Sequence, residues 1–145
     1  MWMSRKRARV AAACVAALLF TASCAPVGDT LYADLGGEPG ITRFVAETVA
    51  ISVADPRIAK DFDNINLDHL TSRIVLQFCQ LTGGPCQYPG RDMYGSHKGL
   101  HLATLDFNAF VEDLQIAMDH EGIPFPTQNR LIKILAPMYR DIVTR

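Results

Sequence analysis

Apolar residues recur every three or four positions along most of this chain, the spacing that gives an α-helix one apolar face. No segment alternates apolar and polar residues with the two-residue period of a half-buried strand. The pattern predicts four substantial helices, over residues 39–54, 66–81, 104–121 and 127–142, together with shorter ones. The predicted fold class is therefore all-α.

The ends of these helices are marked by capping side chains and by glycine or proline steps. The predicted caps and first-turn residues are Asp29 or Thr30, Pro39, Asn66 or Asp68, Thr104 or Asp106, and Thr127. The predicted stops are Gly36-Gly37, Asp55-Pro56, Gly83-Gly84 and Gly122. A one-turn helix with Ile58 and Phe62 is expected between the second and third long elements.

An irregular stretch from Gly83 to Leu100 separates two of the long helices, because its Gly-Gly-Pro and Pro-Gly steps forbid a continuous helix. This stretch carries His97 on a short segment between Gly95 and Gly99. Imidazole is a common axial ligand of haem iron, whereas a structural or solvated role is the default for a single histidine. The stretch alone leaves both roles open.

Several motifs share their residues and their order with one known family. They are Leu31-Tyr32-Ala33-Asp34-Leu35-Gly36-Gly37, Asp55-Pro56, Gly83-Gly84-Pro85 with Tyr88, and Gly90-Arg91-Asp92-Met93 before His97. Together they resemble the group I truncated haemoglobins, from about Leu31 to the C-terminus. The resemblance implies a two-over-two helical sandwich around haem b, with His97 as the proximal ligand of the iron.

The same resemblance implies a set of pocket residues. They are Val49, Phe62, Leu70, Ile74, Met93, Phe107 and Phe110. Leu70 and Ile74 are expected to line the distal face of the haem. Arg73 and Arg91 are candidates for pairing with the haem propionates, because cationic side chains suit carboxylates.

The distal side departs from the family pattern. Val49 stands where the family normally has a tyrosine, and Ile74 stands where it often has a glutamine. Losing a strong hydrogen-bond donor to bound dioxygen costs on the order of 1.5–3 kcal/mol, or about one to two decades in affinity. We therefore expect weak oxygen binding, with less effect on NO and CO. Thr48 and His69 are the two residues that offer a replacement donor.

The first 23 residues are predicted to be an export signal, with a basic cluster followed by an apolar run from Val10 to Phe20. The run is too short to span a bilayer as a mature helix, and it ends before Cys24 in a sequence that resembles a lipoprotein cleavage site. We expect a lipidated Cys24 that anchors the protein to a membrane outside the cytoplasm. Ordinary signal cleavage and an uncleaved anchor are the alternatives. Residues 24–30 are then a tether, and residues 31–145 are the globin domain.

Charge and cysteines narrow the chemistry further. After the basic leader, the chain has ten basic and fifteen acidic residues. Because this part is acidic, a nucleic-acid partner is not expected. Cys79 and Cys86 form a disulfide or remain as two free thiols. Since no Cys-x-x-Cys-His motif occurs, any haem is expected to be bound non-covalently.

Four functions are compatible with these residues. The first is a haem globin that reversibly binds O2, NO or CO, in oxygen binding and transport or in an NO-related role. It is not expected to be an efficient enzyme without the tyrosine; NO dioxygenation, which would need a reductase, and peroxidase-like activity are the enzymatic alternatives. The second is an extracytoplasmic haem carrier or redox relay. The third is a divalent-metal module built on His97 and His101, although two histidines do not complete a tetrahedral zinc site. The fourth is a globin that no longer binds haem.

Overall fold

The computed structural model describes residues 30–144, which form seven α-helices and two short 3-10 helices. The α-helices are α1 Leu31–Asp34, α2 Gly37–Ala54, α3 Leu67–Leu81, α4 Met93–His97, α5 Thr104–His120, α6 Phe125–Leu135 and α7 Tyr139–Ile142. The 3-10 helices are Ala59–Phe62 and Ala136–Met138. Residues 30–144 contain no strand, so the all-α prediction is confirmed.

The core lies where α2 packs against both α3 and α5, the two most extensive helix contacts within the described part of the chain. Phe44 of α2 and Phe78 of α3 place their rings 6.2 Å apart, and Leu114 and Met118 of α5 are fully buried against them. Burying one such side chain stabilises the fold by about 1.5–3 kcal/mol. Phe44, Phe78, Leu114 and Met118, members of the predicted apolar stripes, therefore do form the core, whereas Leu67 of the α3 stripe is 36% exposed.

Two of the predicted caps are present. The Thr30 hydroxyl accepts from the Ala33 amide at 3.3 Å, and the Asn66 side chain accepts from the His69 amide at 2.9 Å. At the start of α5, the Asp106 carboxylate accepts from the Ala103 amide at 2.7 Å. Each contact satisfies a backbone donor that the helix itself leaves without a partner.

The second helix begins two residues earlier than predicted, at Gly37 instead of Pro39. Gly36 has a φ of +82°, which a glycine adopts without strain and which lets the chain turn directly from α1 into α2. Gly40 permits the close approach of the two helices, because a Cβ atom there would overlap the carbonyl oxygen of Leu35. These backbone requirements explain the earlier start.

The prediction of one continuous C-terminal helix, capped by Thr127 and running to residue 142, is wrong. The helix begins at Phe125, and Thr127 already lies inside its first turn. It ends at Leu135, because Pro137 has no amide hydrogen and its ring clashes with the preceding turn. The chain continues through the 3-10 turn Ala136–Met138 into α7, which packs against α4, the helix that carries His97.

A buried polar cluster joins the end of α2 to α5, and the sequence pattern did not reveal it. The Ser52 hydroxyl donates to the Asp113 carboxylate at 2.9 Å, and Asp113 is 2% exposed. Arg57 bridges Asp55 and Glu112 beside it. Burial raises the pKa of the Asp113 carboxyl, while the hydrogen bonds from Arg57 lower the pKa of Asp55.

The predicted signal peptide, Cys24 and all but the last residue of the predicted tether lie outside the described residues. Within residues 30–144, no helix is both long enough and apolar enough to cross a membrane.

Candidate haem site

His97 is the last residue of the five-residue helix α4, and its side chain is half-buried. Its Nδ1 atom lies 2.8 Å from the carbonyl oxygen of Met93. A carbonyl oxygen can only accept a hydrogen bond, so Nδ1 carries the proton and Nε2 of the neutral ring keeps its lone pair. An imidazole oriented in this way is the form that binds a metal through Nε2.

The backbone around α4 is set by local contacts. The Asp92 side chain caps the helix by accepting from the Gly95 amide at 2.6 Å. On the far side of α4, the amide of Thr144 donates to the carbonyl of Leu102 at 3.1 Å, next to the contact between α4 and α7. The C-terminal residues thus cover one side of the helix that carries His97.

The segment between α3 and α4 is tied to the last turns of α3. Cys79 and Cys86 form a disulfide with a Cα–Cα distance of 5.7 Å, which is the bridged state of the two alternatives. The amide of Tyr88 donates to the Gln80 side chain at 2.6 Å. The loop is therefore fastened to α3 at two successive points.

Gln77 is a site residue that the sequence analysis missed. Its amide nitrogen donates to the sulfur of Met93 at 3.4 Å, which brings α3 into contact with the start of α4. Leu70, Ile74 and Gln77 follow i, i+4, i+7 spacing and are all half-buried, so they share one face of α3. That spacing is the signal by which Gln77 was detectable.

A narrow apolar gap, too small to hold a water molecule, lies between α2, α3 and α5. It is lined by Val45, Thr48, Ile74, Phe78, Phe110 and Leu114. The one polar side chain in this lining is Thr48, whose hydroxyl donates to the Phe44 carbonyl at 2.7 Å. Val49 is buried at 4% exposure but is not among the residues that line the gap.

Phe107 and Phe110 were expected to back one pocket, but the structure divides them between two cavities. Phe110 faces the gap beside Ile74. Phe107 lines a separate cleft of about 250 Å³ between α5 and α6, and its ring meets that of Tyr139 edge-on at 5.3 Å. The two rings project differently because residues three apart on a helix point about 60° away from each other.

The remaining predicted residues differ in how exposed they are. Phe62 is half-buried at the end of the first 3-10 helix. Arg73 is half-buried and its Nε atom lies 3.4 Å from Nε2 of the exposed His69, whereas Arg91 is exposed. Within residues 30–144, neither arginine forms an ion pair with a carboxylate.

Exposed apolar side chains surround His97 along the chain. Tyr94, Leu100 and Leu105 are 51%, 52% and 56% exposed, and large exposed apolar side chains are typical of binding surfaces where they adjoin. An apolar surface beside a single imidazole with a free Nε2 suits haem, a largely apolar macrocycle that takes one axial nitrogen from the protein. The residues present therefore fit the group.

The same region does not suit a divalent metal ion. The helix ends at His97, and His101 lies beyond it with a φ of +55°, so the two histidines do not share a helical face. The described residues contain no group of three or more histidine, cysteine or acidic side chains placed to hold a metal. A tetrahedral zinc site would need such a group.

Comparison with known proteins identifies the fold and the family. The family model described as "Bacterial-like globin" matches residues 30–144. The chain is a member of that family. It is 31% identical over 114 residues to a group 1 truncated hemoglobin of Tetrahymena pyriformis. The aligned residues cover 79% of this chain and 94% of the relative. The prediction of a group I truncated haemoglobin is thereby confirmed.

Solved globin structures resemble this one over the same region. The crystal structure of the Tetrahymena pyriformis truncated hemoglobin in its Fe(III) form has a TM-score of 0.77 at 30% identity, covering 80% of this chain and 99% of that one. The 2/2 hemoglobin of Synechococcus, with covalently attached heme, has a TM-score of 0.75 at 22% identity and the same coverage. These matches confirm the predicted two-over-two helical sandwich.

Proposed function

We propose that this globin binds haem b non-covalently through His97 and reversibly binds a small diatomic gas in an apolar distal pocket. The observation that carries the proposal is the 2.8 Å contact from His97 Nδ1 to the Met93 carbonyl, which frees Nε2 for a metal. Haem supplies an iron with one open coordination position for the gas. The surrounding side chains decide how well each gas is held.

The proposed distal face has few hydrogen-bond donors for a bound gas that carries partial negative charge. The gap beside Ile74 is lined by apolar side chains apart from Thr48. Because the single Thr48 hydroxyl proton is already donated to Phe44, the oxygen of Thr48 presents lone pairs to the gap. We expect oxygen to be bound about one to two decades more weakly than with a strong donor present. NO and CO depend less on such a donor.

Two arginines, Arg73 and Arg91, suit the haem propionates by their charge. Arg73 and Arg91 have no carboxylate partner among residues 30–144, and a guanidinium matches the planar geometry of a carboxylate. Phe62, Leu70 and Met93 complete the proposed contacts with the ring.

An extracytoplasmic haem carrier or redox relay is the second candidate. The exposure of Tyr94, Leu100 and Leu105, close to His97 in the chain, favours it, since exposed apolar side chains suit the docking of a second protein that delivers or receives haem. A carrier would show rapid haem loss or an iron with two protein ligands. Enzymatic NO dioxygenation remains a lesser proposal, and it would require a reductase partner.

Location is a further proposal that rests on the leader. A lipidated Cys24 would hold the globin at a membrane outside the cytoplasm. Expression of the full chain followed by mass spectrometry of its N-terminus tests this. Acylation at Cys24 supports the proposal, and an unmodified or retained leader contradicts it.

The test of the main proposal is the absorption spectrum of the purified ferrous protein, alone and under CO. We expect a Soret band that shifts when CO binds. The His97→Ala variant should lose this spectrum, because the ring loses its protein ligand. The matched control is His101→Asn, which keeps a residue that tolerates positive φ and should leave the spectrum unchanged. A spectrum that survives His97→Ala unaltered contradicts the proposal.

A further inference from the structure

The helix that presents His97 has little structure of its own to hold it in place. It contains five residues, and none of them is buried. A helix this short is unstable by itself, since forming the first turn is unfavourable. Its position must therefore come from contacts with its neighbours, among them α7 and the last turns of α3.

The contacts with α3 form an ordered series. The Cys79–Cys86 disulfide is the first, the Gln80–Tyr88 hydrogen bond is the second, and the contact between Gln77 and Met93 is the third. The series ends at Met93, whose carbonyl oxygen orients the His97 ring.

The disulfide end of this series is closely packed. Cys79 is fully buried, and the amide of Gly84 donates to its carbonyl oxygen at 2.8 Å. A Cβ atom at Gly84 would lie 2.6 Å from both the Cys79 sulfur and the Tyr32 ring. The start of the loop, at Gly84, is therefore packed closely beside the bridge.

We propose that the Cys79–Cys86 disulfide is a positioning device for the haem ligand, which holds α4 so that His97 meets the iron and the haem is retained. This inference rests on the proposed function of His97. Removing the bridge leaves the loop beyond Gly84 held to α3 by the side chains of Gln80 and Gln77, so this part of the loop gains freedom and α4 no longer holds the imidazole in one place. We expect faster haem loss from a domain that is still folded.

The experiment measures haem transfer from the holoprotein to an excess of a haem-free globin acceptor. The Cys79→Ala/Cys86→Ala variant should lose haem about 10-fold faster than the wild type, the scale on which outer contacts affect metal ligands. Its ferrous form should also show a weakened iron–imidazole stretching band in the Raman spectrum. An unchanged rate and an unchanged band would overturn the inference.

A stability control separates an effect on the position of His97 from a general loss of folding stability. Gln128 is buried and donates to Asp119 and to the carbonyl of Ile123, in the turn between α5 and α6. The Gln128→Ala variant should lower the free energy of unfolding without changing the iron–imidazole band. If it weakens that band as much as loss of the disulfide does, the inference is wrong.

A second control detaches the ligand from the helix. In the His97→Gly variant supplied with free imidazole, the iron ligand no longer depends on where α4 lies. Removing the disulfide in this background should leave the haem-loss rate unchanged. A 10-fold increase there would show that the bridge acts elsewhere and would overturn the inference.

The exposed Gln80 offers a test that does not disturb the core. Gln80→Ala removes the acceptor for the Tyr88 amide and should speed haem loss, whereas Gln80→Glu keeps an acceptor oxygen and should not. Equal rates in these two variants count against the inference. A wild-type protein with no Soret band at all would instead refute the proposed function, so the two failures are distinguishable.

Discussion

At His97, a carbonyl oxygen 2.8 Å away holds the ring proton on Nδ1 and so decides which nitrogen is free. The Thr48 side chain is constrained in the same way, because its hydroxyl donates its only proton to the Phe44 carbonyl at 2.7 Å. In both cases a backbone acceptor sets the chemistry of a side chain. On the proposed proximal side Nε2 of His97 keeps its lone pair, and on the proposed distal side the Thr48 proton is not free for a ligand.

A donor introduced into the distal gap should reverse the weak oxygen binding that we propose. Ile74 lines the gap, so Ile74→Gln places an amide N–H beside the gas. Oxygen dissociation should slow by about 10-fold or more, as expected for a hydrogen bond worth at least 1.4 kcal/mol. Stopped-flow measurement of the ferrous protein tests this, with Ile74→Leu as the apolar control. Equal rates in both variants would contradict the distal argument.

At the scale of elements, the packing of α2 against α5 brings several ionisable side chains together and shifts their pKa values. Asp113 of α5 is buried against Ser52 of α2, and Arg57 reaches Asp55 and Glu112 beside them. Burial raises the pKa of Asp113 above its ordinary value of 3.8, so the folded state binds this proton more tightly than the unfolded chain does. The contribution of Asp113 to stability is therefore greatest at low pH and declines as pH rises through its folded pKa.

The Asp113→Asn variant should remove this decline. The difference in free energy of unfolding, variant minus wild type, should rise as the pH increases from about 4 to about 7. Urea unfolding at several pH values measures it. Asp55 has the opposite dependence, because its lowered pKa gives stability that is lost on acidification, and it is present in both proteins. A difference that is flat with pH would contradict the assignment to Asp113.

The break between α6 and α7 is the second prediction at this scale. Pro137 lies in the 3-10 turn between α6 and α7, and α7 packs on the helix of His97. Pro137→Ala should allow α6 to continue, weaken the contact with α4 and speed haem loss several-fold, since the ligand is less well held. Pro126→Ala is the matched control, because a proline in the first turn of α6 blocks no hydrogen bond. Identical haem-loss rates in the two variants would argue against this role.

At the scale of the whole molecule, haem is expected to complete the fold. The apolar side chains of Tyr94, Leu100 and Leu105 are more than half exposed, and covering such surface stabilises a protein. With haem at about 1,000 times its dissociation constant, the free energy of unfolding should rise by about 4 kcal/mol. Thermal unfolding of the haem-free and haem-bound forms measures this, and equal midpoints would contradict it.

Much of this molecule could be predicted from local patterns. The i, i+3, i+4 spacing indicated α2, α3 and α5, and Thr30 and Asn66 do cap their helices. The C-terminal helix was mispredicted although Pro137 stood in the chain, because its apolar stripe continues across the proline. An apolar period describes which face is buried and is insensitive to a missing amide proton.

The sequence by itself determined the helices, the placing of His97 on a short segment between two of them, and the family. These follow from interactions within a few residues and from the order of motifs. Only the tertiary structure decided that Thr48 rather than Val49 lines the gap, that Gln77 meets Met93, and that Asp113 is buried beside Ser52. Those pairings depend on how helices distant in the chain rotate and pack against one another, which no local spacing specifies.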